Sequence, residues 1–282
     1  MSLKIPSPKV KAKWLYHHLE DENLIIFNAT IPKVTDKENL SLKENYKIKG
    51  AVFFDIKNTF SDKEAAFPNT ILSPEKFQDK AQEIGVNNNS CIIVYDEIGI
   101  YSSARVWWMF QLMGFTNIAV LDGGFPAWKS KEYPVEQKHL INLSKGDFKS
   151  FYQPDKIKFT KDVLENIKNK ENIVLDARSK GRFYATEPEP RNDIRGGHIP
   201  GSVSLPYSEI LDHQYLKSNE DLKSIYQDLN TLKKPIIFSC GSGITASVLA
   251  LGAEIAGIKK YAVYDGSWTE WGSTNHLPIE KL

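Results

Sequence analysis

A chain of 282 residues is long enough for two domains of ordinary size, each able to bury its own core. Hydrophobic residues at 41%, charged residues at 25% and 36 Lys+Arg against 35 Asp+Glu exclude a disordered chain, a collagen-like repeat and a supercharged surface. The net charge of +1 gives no overall reason to expect nucleic acid or an anionic membrane as partner, so any anion site must be local.

The amino-terminal stretch through Trp14 carries lysines and prolines but no apolar h-region, and Glu20, Asp21 and Glu22 follow soon after. Arginine is absent before Arg105, which speaks against an Arg-rich transit peptide. No run approaches the ~18 uncharged apolar residues of a membrane-spanning helix, so a cytoplasmic protein with no membrane partner is expected. The two cysteines, Cys91 and Cys240, cannot supply a disulfide framework or a cysteine-built zinc site. No metal or organic cofactor is expected.

Farther along, the chain repeats itself. Ile25-Ile26-Phe27-Asn28-Ala29 returns as Ile173-Val174-Leu175-Asp176-Ala177, and Ile48-Lys49-Gly50-Ala51-Val52 as Ile199-Pro200-Gly201-Ser202-Val203. Ile92-Ile93-Val94-Tyr95-Asp96, then Gly99, Gly114, Leu121-Asp122-Gly123 and Trp128, returns as Ile236-Ile237-Phe238-Ser239-Cys240, then Gly243, Gly257, Tyr264-Asp265-Gly266 and Trp271. A repeat this long makes each unit a whole domain. Short apolar runs at 172–175, 235–238 and 260–264 have strand length, and 244–256 has helical length and spacing. Strands alternating with helices predict an α/β fold: two tandem domains, each a mainly parallel sheet flanked by helices. The expected division is 1–137, a polar linker at 138–159, and 160–282.

The segment Phe238-Ser239-Cys240-Gly241-Ser242-Gly243-Ile244-Thr245-Ala246-Ser247 places a thiol between an apolar strand and a helix start, with Thr245 or Ser247 as the expected cap. Glycines at 241 and 243 permit left-handed backbone angles, so successive N–H groups can converge into an anion cradle. With the helix dipole added, the surroundings favour thiolate over thiol and make Cys240 a candidate nucleophile. A small hydrophobe at a strand end is the alternative. The duplicate loop carries Asp96 in place of the thiol, which fits an active second unit beside a silent first. Cys91, within the apolar run Cys91-Ile92-Ile93-Val94, reads as structural. A cysteine phosphatase would need an arginine six positions after Cys240 to clamp phosphate, and Ala246 stands there. A Cys–His protease has no marked base among the histidines.

These residues identify the chain as resembling the two-domain rhodanese-like sulfurtransferases, and more closely their mercaptopyruvate branch, over essentially its full length. The loop Cys240-Gly241-Ser242-Gly243-Ile244-Thr245-Ala246 differs from the pattern typical of mercaptopyruvate enzymes only by isoleucine for valine. Thiosulfate-preferring relatives usually carry Arg-Lys after the cysteine. The resemblance implies catalysis by Cys240 with Ser242, and donor or persulfide binding by the N–H groups of Gly241, Gly243, Ile244 and Thr245. A second signature runs through Asp176-Ala177-Arg178, Gly181-Arg182-Phe183, Thr186-Glu187-Pro188-Glu189-Pro190-Arg191 and Gly197-His198-Ile199-Pro200-Gly201. There the resemblance assigns Arg182 and Arg191 to the carboxylate end of mercaptopyruvate. Planar guanidinium groups suit that role, whereas surface pairing with Glu187 or Glu189 is the alternative.

Asp176 and Arg178 are expected to brace the site and His198 to be structural, while Trp268 and Trp271 form either a pocket wall or core. Relatives often carry an acidic residue after Phe-Phe-Asp-Ile and a histidine farther on. Here Lys57 follows Phe53-Phe54-Asp55-Ile56, and Asn69 stands where the histidine would fall. The implied activity moves sulfur from 3-mercaptopyruvate, through a Cys240 persulfide, to a thiol such as thioredoxin or a glutathione-type thiol, or to cyanide. Thiosulfate:cyanide sulfurtransferase activity and a non-catalytic persulfide carrier are the alternatives.

Overall fold

The computed structural model describes residues 2–34, 44–141, 143–230 and 233–281. By contacts the chain divides into two compact units. The first comprises Met1–Lys63, Ile71–Gln153 and His213–Leu216, and the second Glu64–Thr70, Pro154–Asp212 and Lys217–Leu282. Among the described residues no helix is long and apolar enough to cross a membrane.

The first unit contains strands β1 (Lys9–Val10), β2 (Leu24–Asn28), β3 (Tyr46–Ile48), β4 (Val52–Phe53), β5 (Cys91–Tyr95), β6 (Ile118–Leu121) and β7 (Val135–Gln137). Its main sheet runs β1-β6-β5-β2-β4, with every pairing parallel. Strand β5 is buried along its whole length, which explains why Cys91-Ile92-Ile93-Val94-Tyr95 reads as continuously apolar and does not alternate. Helices α1 (Ala12–His17), α2 (Pro74–Glu83), α3 (Ser103–Leu112) and α4 (Gly124–Lys129) connect these strands. The Ser73 hydroxyl accepts from the Lys76 N–H at the start of α2, and Pro74 occupies the first turn, where its missing N–H costs nothing.

The second unit repeats this plan. Its strands are β8 (Ile157–Lys158), β9 (Ile173–Asp176), β10 (Val203–Ser204), β11 (Leu211–Asp212), β13 (Ile236–Ser239) and β14 (Tyr261–Tyr264), with β12 (Tyr215–Leu216) lying in the first unit's share of the chain. The main sheet runs β10-β9-β13-β14-β8, again all parallel. That is the first sheet's order once the repeated strands are superposed, so the duplication read in the sequence is a duplication of topology.

Helices α5 (Thr160–Asn169), α6 (Lys180–Phe183), α7 (Asn219–Leu229), α8 (Ile244–Ile255) and α9 (Ser267–Ser273) complete the unit. Nearly all of α8 is buried, and its small residues permit close packing. A Cβ on Gly252 would lie 2.9 Å from the Tyr226 hydroxyl, which donates to the Leu249 carbonyl at 2.7 Å. One core cluster of this unit joins Val163, Val174, Ile199, Ile237, Tyr264, Trp268, Trp271 and Leu277.

Candidate active site

In the second unit the central strand β13 ends at Ser239 and Cys240 begins the turn that follows. The carboxyl edge of an open parallel sheet is where such folds bind ligands. Cys240 is 1% exposed, so its thiol is buried. Gly243 takes φ +78° and caps α8 by backbone alone. Neither Thr245 nor Ser247 is the cap, contrary to the sequence expectation. The helix begins earlier, at Ile244, because the left-handed glycine turns the chain directly into it. Ser247 instead donates its hydroxyl to the Gly243 carbonyl at 2.9 Å.

Gly241 is not left-handed, a second departure from expectation. A Cβ there would stand 3.2 Å from Arg182 Nη2, so the missing side chain lets the guanidinium approach the turn.

The start of α9 holds the turn from its other side. The Trp268 N–H donates to the Cys240 carbonyl at 2.8 Å and the Thr269 N–H to the Gly241 carbonyl at 2.8 Å. Ser267, in a left-handed conformation at φ +51°, accepts from the Cys240 N–H at 3.2 Å and donates to the Tyr264 carbonyl at 2.8 Å. Its Oγ lies 4.0 Å from Cys240 Sγ. The Thr269 hydroxyl donates to the Gly241 carbonyl at 2.6 Å and accepts from Arg191 Nη1 at 2.8 Å. Thr269 therefore ties one of the expected donor-binding arginines to the loop of the expected nucleophile.

The arginines separate by what they touch. Arg178 is wholly buried and bonded to Asp176 at 2.6 Å, Glu189 at 2.8 Å and the Gly197 carbonyl at 2.9 Å, with its guanidinium 4.3 Å above the Trp268 ring. Arg195 directs its donors to the carbonyls of Trp271, Gly272, Thr274, Asn275 and Leu277, closing the carboxyl end of α9. Arg182 and Arg191 are only half-buried. Arg182 directs Nε and Nη2 at one oxygen of Glu189, at 3.1 and 2.5 Å, and the other oxygen of that carboxylate takes Arg178. Glu189 is thus a buried hinge between a bracing arginine and a half-exposed one.

His198 stacks on Phe183 with ring centroids 3.9 Å apart, and its Nδ1 lies 3.0 Å from the Phe183 carbonyl. Trp268 and Trp271 are fully buried core residues whose indole N–H groups reach the carbonyls of Arg195 and Pro278. This decides between core and pocket wall in favour of core.

Ser242, 8% exposed, accepts at Oγ from Asn69 Nδ2 at 3.0 Å. Lys57 is exposed.

The duplicate loop shows what this kind of turn can gather. Asp96, immediately after β5, is fully buried. Its carboxylate accepts from the N–H groups of Ile98, Gly99, Tyr101 and Ser103 at 2.9–3.1 Å and from the Ser103 hydroxyl at 2.7 Å. The first unit's cradle holds an anion that the chain itself provides. Burial pushes the Cys91 thiol up to about 11, so the other cysteine is held as a neutral thiol.

Sequence reading missed Ser267 and Thr269, whereas Glu189 entered it only as an alternative partner for the arginines, and Arg182 does pair with it. For Ser267 a signal existed, because the repeat pairs it with Gly124, which has φ +55°. Thr269 matters through contacts that sequence spacing does not announce.

The chain matches the Rhodanese-like domain twice, over residues 11–131 and 159–274. It is 35% identical to the 3-mercaptopyruvate sulfurtransferase of Escherichia coli over 276 residues, covering 97% of this chain and 98% of that one. It is 33% identical to the thiosulfate sulfurtransferase of Mus musculus over 273 residues, covering 93% and 91%. The crystal structure of SseA from Escherichia coli, a 3-mercaptopyruvate sulfotransferase by its description, superposes with a TM-score of 0.82 at 33% identity, covering 93% of this chain and 99% of that one. With both halves matched and full-length relatives above 30% identity, the chain belongs to the rhodanese-like family.

Proposed function

We propose that the protein is a 3-mercaptopyruvate sulfurtransferase working through a persulfide on Cys240. The Cys240 thiolate attacks the donor sulfur, forming the Sγ–S bond as the donor's S–C3 bond breaks. The electron pair of that bond passes to C3 as an enolate, which takes up one proton to become pyruvate. The proton on the transferred sulfur is the one released, so the half-reaction leaves Cys240–S–S⁻ and pyruvate with no net proton gained or lost. Cyanide then takes the outer sulfur as thiocyanate, or a thiol such as thioredoxin or a glutathione-type thiol takes it as its own persulfide, and the Cys240 thiolate returns.

The N–H groups of Gly241, Gly243, Ile244 and Thr245 hold the anionic outer sulfur, Arg182 and Arg191 hold the donor's carboxylate and carbonyl, and Ser242 moves the proton to C3. In this reading residues 1–137 form the silent domain, 138–159 the linker and 160–282 the catalytic domain.

The observation that carries the reading is the buried Cys240 at the strand end where, in the duplicate, four backbone N–H groups close on the Asp96 carboxylate. A turn that gathers N–H donors around a carboxylate suits a persulfide anion when cysteine replaces the aspartate. A second reading, thiosulfate as donor, is favoured by the 33% identity to a thiosulfate sulfurtransferase and uses the same persulfide. The loop weighs against it: Gly241 and Ser242 bring no cation to a doubly charged donor. Intact-mass measurement tests the choice. Incubation with mercaptopyruvate should add one sulfur atom to the protein and none to Cys240→Ser. Loading by thiosulfate alone would overturn the donor assignment.

A further inference from the structure

Residues 64–70 group with the second unit. In this segment the Thr70 hydroxyl donates to the Phe67 carbonyl at 2.8 Å, closing a turn around Asn69. Asn69 takes φ +62°, a left-handed conformation that asparagine tolerates better than most side chains. The half-buried side chain so directed places Nδ2 3.0 Å from Ser242 Oγ.

We propose that Asn69 is a positioning residue for the proton transfer of Ser242: its amide N–H holds Ser242 Oγ and turns the hydroxyl proton away from Asn69 toward the donor. This rests on the role given to Ser242 above. A hydroxyl oxygen that accepts from an amide cannot direct its own proton at the same N–H, so the Oγ–H must point elsewhere. In the transfer, Oγ–H gives its proton to C3 of the departing enolate and takes back the proton of the outer S–H of the new persulfide. Bonds and charge balance, because Ser242 begins and ends neutral. Between the two steps charge develops on Oγ, and a donor already fixed on that oxygen stabilises it without reorganisation. An amide neither gains nor loses a proton in the neutral range, so Asn69 supports the transfer without joining it.

Thiosulfate supplies an internal control. Its transfer to the Cys240 thiolate releases sulfite and leaves the persulfide, with no proton delivered to carbon. Loss of the Asn69 amide should therefore slow mercaptopyruvate selectively. The test is single-turnover persulfide formation with each donor in wild type, Asn69→Gly, Asn69→Asp and Ser242→Ala. Glycine suits the left-handed backbone, so this variant removes the amide without disturbing the turn. Aspartate keeps the shape but presents an acceptor to Oγ. Both should lower the mercaptopyruvate rate about 10- to 100-fold, with at least a tenfold larger loss than for thiosulfate, through kcat and not KM. Added to Ser242→Ala, Asn69→Gly should lower the rate no further, because the two act as one unit.

An unchanged donor ratio in both Asn69 variants, or full additivity with Ser242→Ala, would overturn the inference. A wild type that takes no sulfur from mercaptopyruvate would instead overturn the proposed function, so the two failures are distinguishable.

Discussion

Replacing Arg182 by alanine tests the donor clamp most informatively, because the partners of Arg182 set the size of the effect. Asp176, Arg178, Glu189 and Arg182 form a connected cluster of two acids and two bases, neutral as a whole, to which Arg191 adds the one positive charge that matches the donor's single carboxylate. Removal of Arg182 leaves Glu189 paired with Arg178 at 2.8 Å, so the fold should survive, but the donor then meets a site of no net charge. Arg182 is 19% exposed at its side chain, well enough screened from water for a charge-assisted hydrogen bond to keep about 1.5–3 kcal/mol. That corresponds to a roughly 10- to 150-fold loss in kcat/KM for mercaptopyruvate. Arg182→Lys should fall between, because the charge survives while the planar fork is lost. Pyruvate release at fixed acceptor measures the effect, with thermal melting as the control for folding. If Arg182→Ala and Arg191→Ala both matched wild type in kcat/KM, these arginines would not be the clamp.

Other perturbations probe separate links. Thr269→Val keeps the N–H bond to the Gly241 carbonyl but loses the hydroxyl bridge to Arg191. The lost bond comes from a guanidinium, and a hydrogen bond to a charged group is worth about 1.5–3 kcal/mol, so KM for mercaptopyruvate should rise by up to about 10- to 150-fold, and an unchanged KM would show that the bridge does not hold the site. Cys91→Ala should retain turnover and Cys240→Ser should abolish it. With its thiol pushed up to about 11 by burial, Cys91 is about one part in a thousand thiolate at pH 8 and should resist iodoacetamide in the native protein; prompt native labelling of Cys91 would contradict its buried position. Asp96→Ala strands several buried donors and should cost about 3–5 kcal/mol in chemical denaturation, while a loss under about 1 kcal/mol would mean that the carboxylate does not hold the first loop together. Gly241→Arg with Ser242→Lys should move donor preference toward thiosulfate, both by adding cations and by removing the Ser242 hydroxyl, and an unmoved ratio of kcat/KM values would contradict both assignments.

The parallel sheets were legible because their buried strands, such as Ile236–Ser239, are apolar throughout and recur with the same neighbours in both halves. The position of Cys240 followed from the same pattern, since a strand followed by glycines and a helix fixes where the thiol emerges. What the pattern could not show was why each glycine is present. Gly243 supplies a backbone angle, whereas Gly241 makes room for Arg182, and a linear sequence does not contain that approach. Residues 64–70 lie in the first half of the chain yet group with the second unit, so the contact between Asn69 and Ser242 is a tertiary fact. The same holds for Thr269, which joins Arg191 to Gly241 across long separations. Trp268 and Trp271 could be read either way from sequence, because tryptophan serves pocket walls and cores equally well; full burial with both indole N–H groups bonded places them in the core.

The central claim is that Cys240 carries sulfur taken from mercaptopyruvate, and a single-turnover experiment on the wild-type protein tests it most directly. Protein mixed with one equivalent of mercaptopyruvate and no acceptor should release one pyruvate for each sulfur atom gained, with that atom mapped to the peptide containing Cys240 and discharged as thiocyanate when cyanide is added. Pyruvate release without sulfur on Cys240, or sulfur mapped to Cys91, would contradict the account.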